Sequence, residues 1–99
     1  VEALLFMMDY KESNTFNIGS NTTVSLNEVI KTIEKYSGKE AKIKNEERAY
    51  KDPDVVRPNL ENISNELSWK PSTDIDAGIE KTVSWYSENK EFLNDIVYI

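Results

Sequence analysis

Ninety-nine residues allow one domain at most, and 38% hydrophobic with 10% aromatic residues is enough apolar material for a modest single core. A formal charge of −6 argues against a nucleic-acid or anionic-membrane partner, since both need clustered Lys and Arg. The absence of cysteine and histidine excludes a disulfide framework, a thiolate nucleophile, a zinc–cysteine site and an imidazole base, and suits a cytoplasmic setting. The longest apolar run, Ala3 to Met8, is far short of a membrane span.

Taken in order, Val1 to Tyr10 reads as a helix on which Leu4, Leu5 and Met8 share a face. No Ser, Thr, Asp or Asn precedes it, and such a bare start is expected where a helix has been cut from a longer chain. Ser13-Asn14 makes a turn, and Thr15 to Ile18 has the alternating, β-branched and aromatic character of a short strand ending at Gly19. Ser25 with Glu28 forms a capping box, in which the hydroxyl accepts from an amide three residues on and the carboxylate reaches back. Leu26, Val29, Ile30 and Ile33 are the expected buried face of this helix, and Ser37-Gly38 is its left-handed stop. Ala41 to Asn45 alternates again and reads as a second strand, parallel to the first if the two pair. The charged stretch Glu46 to Asp54 follows as a loop. Asn59 can then cap a short helix through Leu67, with Leu60, Ile63 and Leu67 facing inward.

The stretch Leu67 to Tyr86 holds a loop, a helix start and a two-sided helix. Pro71 biases Lys70 away from helical dihedrals, and Ser72, Thr73 and Asp74 offer capping oxygens, so a helix should begin near Asp74 and run to about Asn94. Ile75, Ile79, Val83 and Tyr86 form one apolar stripe, flanked by Thr82, Trp85, Asn89 and Phe92; one face must be buried. Gly78 inside this helix points to close approach of another backbone. Ile96 to Ile99 is an apolar tail with no assigned state. The expected class is α/β of the small α+β kind, with about four helices packed on a sheet of two or three short strands.

For chemistry, the loop Glu46 to Asp54 is where opposite charges, an aromatic and a proline meet outside any apolar pattern, which makes it the best binding-site candidate. Asp52-Pro53-Asp54 and Asp74-Ile75-Asp76 lack the further oxygen ligands and turn glycine of a calcium loop, and capping and solubility account for them. Gly19, Gly38 and Gly78 are too dispersed to cradle the pyrophosphate of a dinucleotide. No catalytic or metal-ligating residue is assigned.

Leu67, Trp69, Lys70, Pro71, Gly78, Trp85 and Tyr86, with Phe16-Asn17-Ile18-Gly19-Ser20 upstream, resemble the C-terminal third of the extended short-chain dehydrogenase/reductase family, the NAD-dependent nucleotide-sugar epimerases and dehydratases. Ser68 stands where that family has glycine, and Asn59 where it has aspartate. The resemblance implies one domain over residues 1–99, the substrate-binding segment of a longer enzyme. The Rossmann half, the NAD site and the catalytic tyrosine–lysine pair would lie outside it. It also implies a nucleotide-diphosphate sugar as ligand and a homodimer for the intact enzyme. In the resembling family an arginine and, three residues on, an aspartate after glycine contact phosphate and ribose. Asp54 then holds the aspartate place, Lys51 the arginine place and Pro53 the glycine place, and Arg48 or Arg57 offers the guanidinium that a lysine lacks. Tyr86 and Lys90 have the spacing of the family's catalytic pair, but they lie in its C-terminal helix and are assigned no role in catalysis. Epimerase and 4,6-dehydratase both stay open. A free-standing, non-catalytic acidic interaction domain is the alternative.

Overall fold

A computed structural model describes residues 1–95, so the apolar tail Ile96 to Ile99 lies outside the described residues. Its regular elements are α1 (Glu2–Met8), α2 (Leu26–Ser37), α3 (Glu61–Leu67), α4 (Ile75–Glu88) and α5 (Lys90–Asn94). Two compact units divide the chain, one of residues 1–23 with 47–72 and one of residues 24–46 with those from Thr73 onward.

The first unit is built on a small core of Ala3, Leu60, Ile63 and Trp69, with Met7, Phe16 and Leu67 packed against it. Ile63 is fully covered, as the period of α3 requires, and Leu60 beside it is also buried. Asn59 does supply a capping oxygen, accepting from the Glu61 amide at 2.9 Å, although Leu60 occupies the cap position itself. Polar ties close the unit: Trp69 Nε1 donates to Glu2 Oε1 at 3.2 Å, and Asn62 Nδ2 donates to the Thr15 carbonyl at 2.8 Å. On α1 it is Ala3 that is buried, whereas Leu4, Leu5 and Met8 are all more than half exposed.

In the second unit α2 packs against α4. The capping box forms as its residue types dictate: Ser25 Oγ accepts from the Glu28 amide at 3.2 Å, and Glu28 Oε2 accepts from the Ser25 amide at 2.9 Å. Gly38 ends α2 with φ 68°, its amide donating to the Glu34 carbonyl at 2.9 Å. Asp74 Oδ1 caps α4 through the Ala77 amide at 2.8 Å.

The expected sheet is not there. Among the described residues no strand occurs, and both Thr15 to Ile18 and Ala41 to Asn45 run without ladder pairing, so the α+β expectation is corrected to an all-helical arrangement. Alternation and β-branching favour extended, half-covered backbone, but a strand exists only when another edge supplies hydrogen bonds. The two segments fall in different units.

Three smaller expectations also change. The last helix is two, broken at Asn89, whose φ of −116° and ψ of 33° leave the helical region and whose side-chain amide donates to the Trp85 carbonyl at 2.8 Å. Its stripe is only partly covered: Ile79 and Val83 are half-buried, but Ile75 is 47% and Tyr86 51% exposed. The same holds on α2, where Val29 and Ile30 are half-buried but Leu26 and Ile33 are exposed. No backbone approaches Gly78, since a Cβ there would meet only Thr73 Cγ2 at 3.8 Å. The close approach is at Gly19 instead.

Candidate functional site

Residues 48–54 wrap around an open depression of about 590 Å³ in the first unit. Arg48, Lys51 and Asp54 line it together, while Arg57 lies outside the lining, three residues further along the same strip. Pro53 within the 48–57 strip and Pro58 just after it stiffen the segment, because each ring fixes φ and restricts the preceding residue. Two cations and two carboxylates balance the depression, and Arg48 Nη1 donates to Asp52 Oδ2 at 2.5 Å. Such an exposed i,i+4 pair is weak in water, so the guanidinium can exchange its carboxylate for a more highly charged anion. Neither Lys51 nor Arg57 forms an ion pair among the described residues. The strip therefore offers three exposed cationic groups, Arg48, Lys51 and Arg57, beside the carboxylates of Asp52 and Asp54.

A second concavity, about 510 Å³, lies between α2 and α4, with Ile33, Ile79, Val83 and Tyr86 on its apolar walls and Lys39 and Lys90 beside them. Tyr86 and Lys90 both reach this groove, but the break at Asn89 puts them on different helices. The tyrosine–lysine spacing needs one continuous helix to put both groups on one face, and α4 does not continue that far.

One polar cluster has no signal in the sequence. The Tyr36 hydroxyl donates to Asp76 Oδ1, and Lys35 Nζ reaches Oδ2 of the same carboxylate at 3.3 Å while sitting 4.7 Å from the Tyr36 ring centre. Asp76 is held below the usual carboxylate value, first by the Tyr36 hydroxyl and then by Lys35, against some desolvation. Lys35 is raised, first by its contact with Tyr36 and then by Asp76, and Tyr36 is raised, chiefly by the bond to Asp76. Forty residues separate the two sides, and nothing local in the sequence pairs them.

Neither of the two longer helices presents a free amide end. Ser25 with Glu28 occupies the start of α2 and Asp74 that of α4, and an acidic cap repels a phosphate. Gly19 packs beside Pro58, Gly38 ends a helix and Gly78 lies within one, so these three glycines do not form the tight strand-to-helix turn that cradles a dinucleotide's pyrophosphate. Among the described residues no group of three or more acidic side chains is placed to hold a metal ion, and no helix is long and apolar enough to cross a membrane.

No protein-family profile matches the chain, and no solved structure does. Curated relatives do match. Protein CapI of Staphylococcus aureus is 33% identical over 79 residues, covering 80% of this chain and 24% of the relative. A UDP-glucuronate 4-epimerase of Thermodesulfobacterium geofontis is 30% identical over 78 residues, covering 79% of this chain and 24% of the relative. A dTDP-glucose 4,6-dehydratase of Salmonella typhimurium is 47% identical over 34 residues, which is 34% of this chain and 9% of that enzyme. The chain thus spans about a quarter of the length of the curated relatives it matches over most of its own length, and its similarity runs to proteins named as nucleotide-sugar epimerases and dehydratases.

Proposed function

We propose that this chain is the C-terminal, substrate-binding segment of a cytoplasmic, NAD-dependent enzyme that epimerises or dehydrates a nucleotide-diphosphate sugar. NAD and the catalytic pair belong, on this reading, to a Rossmann half outside these residues, in an enzyme that is a homodimer. The segment's own part is to wall one side of the cleft and hold the diphosphate, with Arg48, Lys51 and Arg57 neutralising phosphate charge and Asp54 accepting from a ribose hydroxyl. The observation that carries this is the similarity over about four fifths of the chain to enzymes named for UDP- and dTDP-sugars, and the exposed Arg48, Lys51 and Arg57 of the 48–57 segment supply cations for the diphosphate.

Two measurements test it. The full polypeptide that carries this chain, supplied with NAD and a panel of UDP- and dTDP-sugars, should give an epimer or a 4-keto-6-deoxy product, and no turnover of any of them would refute the enzymatic assignment. UDP titrated into the chain should move backbone amide resonances between residues 48 and 57. Arg57→Ala or Lys51→Ala should then weaken binding by roughly tenfold each, the factor expected for losing one charge-assisted hydrogen bond.

A further inference from the structure

We propose that Gly19 is a positioning residue for the anion-binding strip, one that sets the direction of Arg57 through Pro58; this rests on the role given to that strip above. A Cβ placed on Gly19 falls 2.6 Å from Pro58 Cγ, 3.5 Å from its Cδ and 3.7 Å from its Cβ. Carbon atoms settle about 3.5–4.0 Å apart, so the Pro58 ring occupies the space that a side chain at Gly19 would need. Gly38 is the one glycine among the described residues with positive φ, so what Gly19 supplies is room and not dihedral freedom.

The identity of the neighbour decides the consequence. A lysine tip facing an added methyl group would swing aside, but a proline ring is closed onto its own backbone nitrogen, and moving Cγ moves the main chain. The same ring restricts the residue before it to extended dihedrals, and that residue is Arg57. A displaced Pro58 therefore re-aims Arg57. Two ties hold the neighbouring segments together: Phe16 packs on the core cluster that contains Leu60, and Asn17 Nδ2 donates to the Asn59 carbonyl at 3.5 Å. Residues 16–19 thus lie along residues 57–60, held by the core at one end and by the glycine–proline contact at the other.

The test is UDP binding by the full chain, followed by amide-resonance titration, with thermal unfolding measured on the same samples. Gly19→Ala should raise the Kd by roughly tenfold, the factor for one misdirected charge-assisted hydrogen bond. Pro58→Ala, which removes the ring without adding a clash, should weaken binding by a smaller factor. The double variant Gly19→Ala/Pro58→Ala should match Pro58→Ala alone, because the added methyl group then meets no ring. A purely structural role predicts a lowered Tm with the Kd unchanged. Wild-type affinity in folded Gly19→Ala overturns the inference and leaves the anion-binding role intact, whereas no binding of UDP by the wild-type chain overturns both. If Gly19→Ala does not fold, Pro58→Ala decides: weakened binding at unchanged Tm supports the inference, and unchanged binding overturns it.

Discussion

The Tyr36 hydroxyl donates to the Asp76 carboxylate, fastening the last turn of α2 to the first turn of α4, and Lys35 holds the carboxylate's other oxygen. This clasp predicts how the second unit responds to pH. Asp76 titrates in the folded chain below its ordinary 3.8, so its contribution is complete above that value and is lost as the pH falls through the lower folded value. Lys35 and Tyr36 titrate above their ordinary 10.5 and 10.0, so their contributions are complete below those values and are lost as the pH rises through the folded ones. Urea unfolding across pH should show a plateau that falls at both ends. Asp76→Asn should flatten the acid limb, and Tyr36→Phe combined with it should cost less than the sum of the two single changes.

Ser25→Ala removes one half of the capping box and leaves the Glu28 amide without its acceptor. The expected loss is about 1 kcal/mol, read as a lower urea midpoint at unchanged slope.

Ile63 is the one fully buried large side chain among the described residues, while Leu26 is 71% exposed although it belongs to the apolar stripe of α2. Ile63→Ala should cost about 2–5 kcal/mol, and Leu26→Ala should stay within about 0.5 kcal/mol of wild type. Chemical denaturation of both variants checks the contrast.

The glycines in the second unit should respond in opposite senses. A Cβ at Gly78 meets only ordinary contact, so Gly78→Ala should stabilise the chain by about 0.5–1 kcal/mol through helix propensity. Gly38 has open space around it but φ 68°, so Gly38→Ala should destabilise by about 1 kcal/mol from backbone strain alone. Thermal unfolding of the two variants should shift in opposite directions.

The features that were legible are those settled within a turn of chain. Ser25 and Glu28 announce the start of α2, Gly38 its end, and Asp74 the start of α4, because each satisfies backbone groups no more than four residues away. The inward set Leu60, Ile63 and Leu67 was legible for the same reason, since a period of 3.6 fixes which side chains share a face. The resemblance carried by Leu67 to Tyr86 pointed to nucleotide-sugar enzymes, the same class that names several of the chain's relatives.

Features that depend on a second segment were not legible. Thr15 to Ile18 and Ala41 to Asn45 have the composition of strands, yet their backbone finds no ladder among the described residues. An apolar stripe states that a face would gain from cover, but not what covers it, and so Leu4, Leu5, Ile75 and Tyr86 remain exposed. The close approach expected at Gly78 occurs at Gly19, because crowding is decided by the neighbour across the fold, here Pro58, and not by the element that contains the glycine. By itself the sequence determined where α2 begins and ends and where α4 begins, since caps and periodicity are local properties of the chain. Only the tertiary structure decided which carboxylate meets Tyr36, which glycine must stay small and which apolar faces are left uncovered, because each depends on distances between residues far apart in sequence.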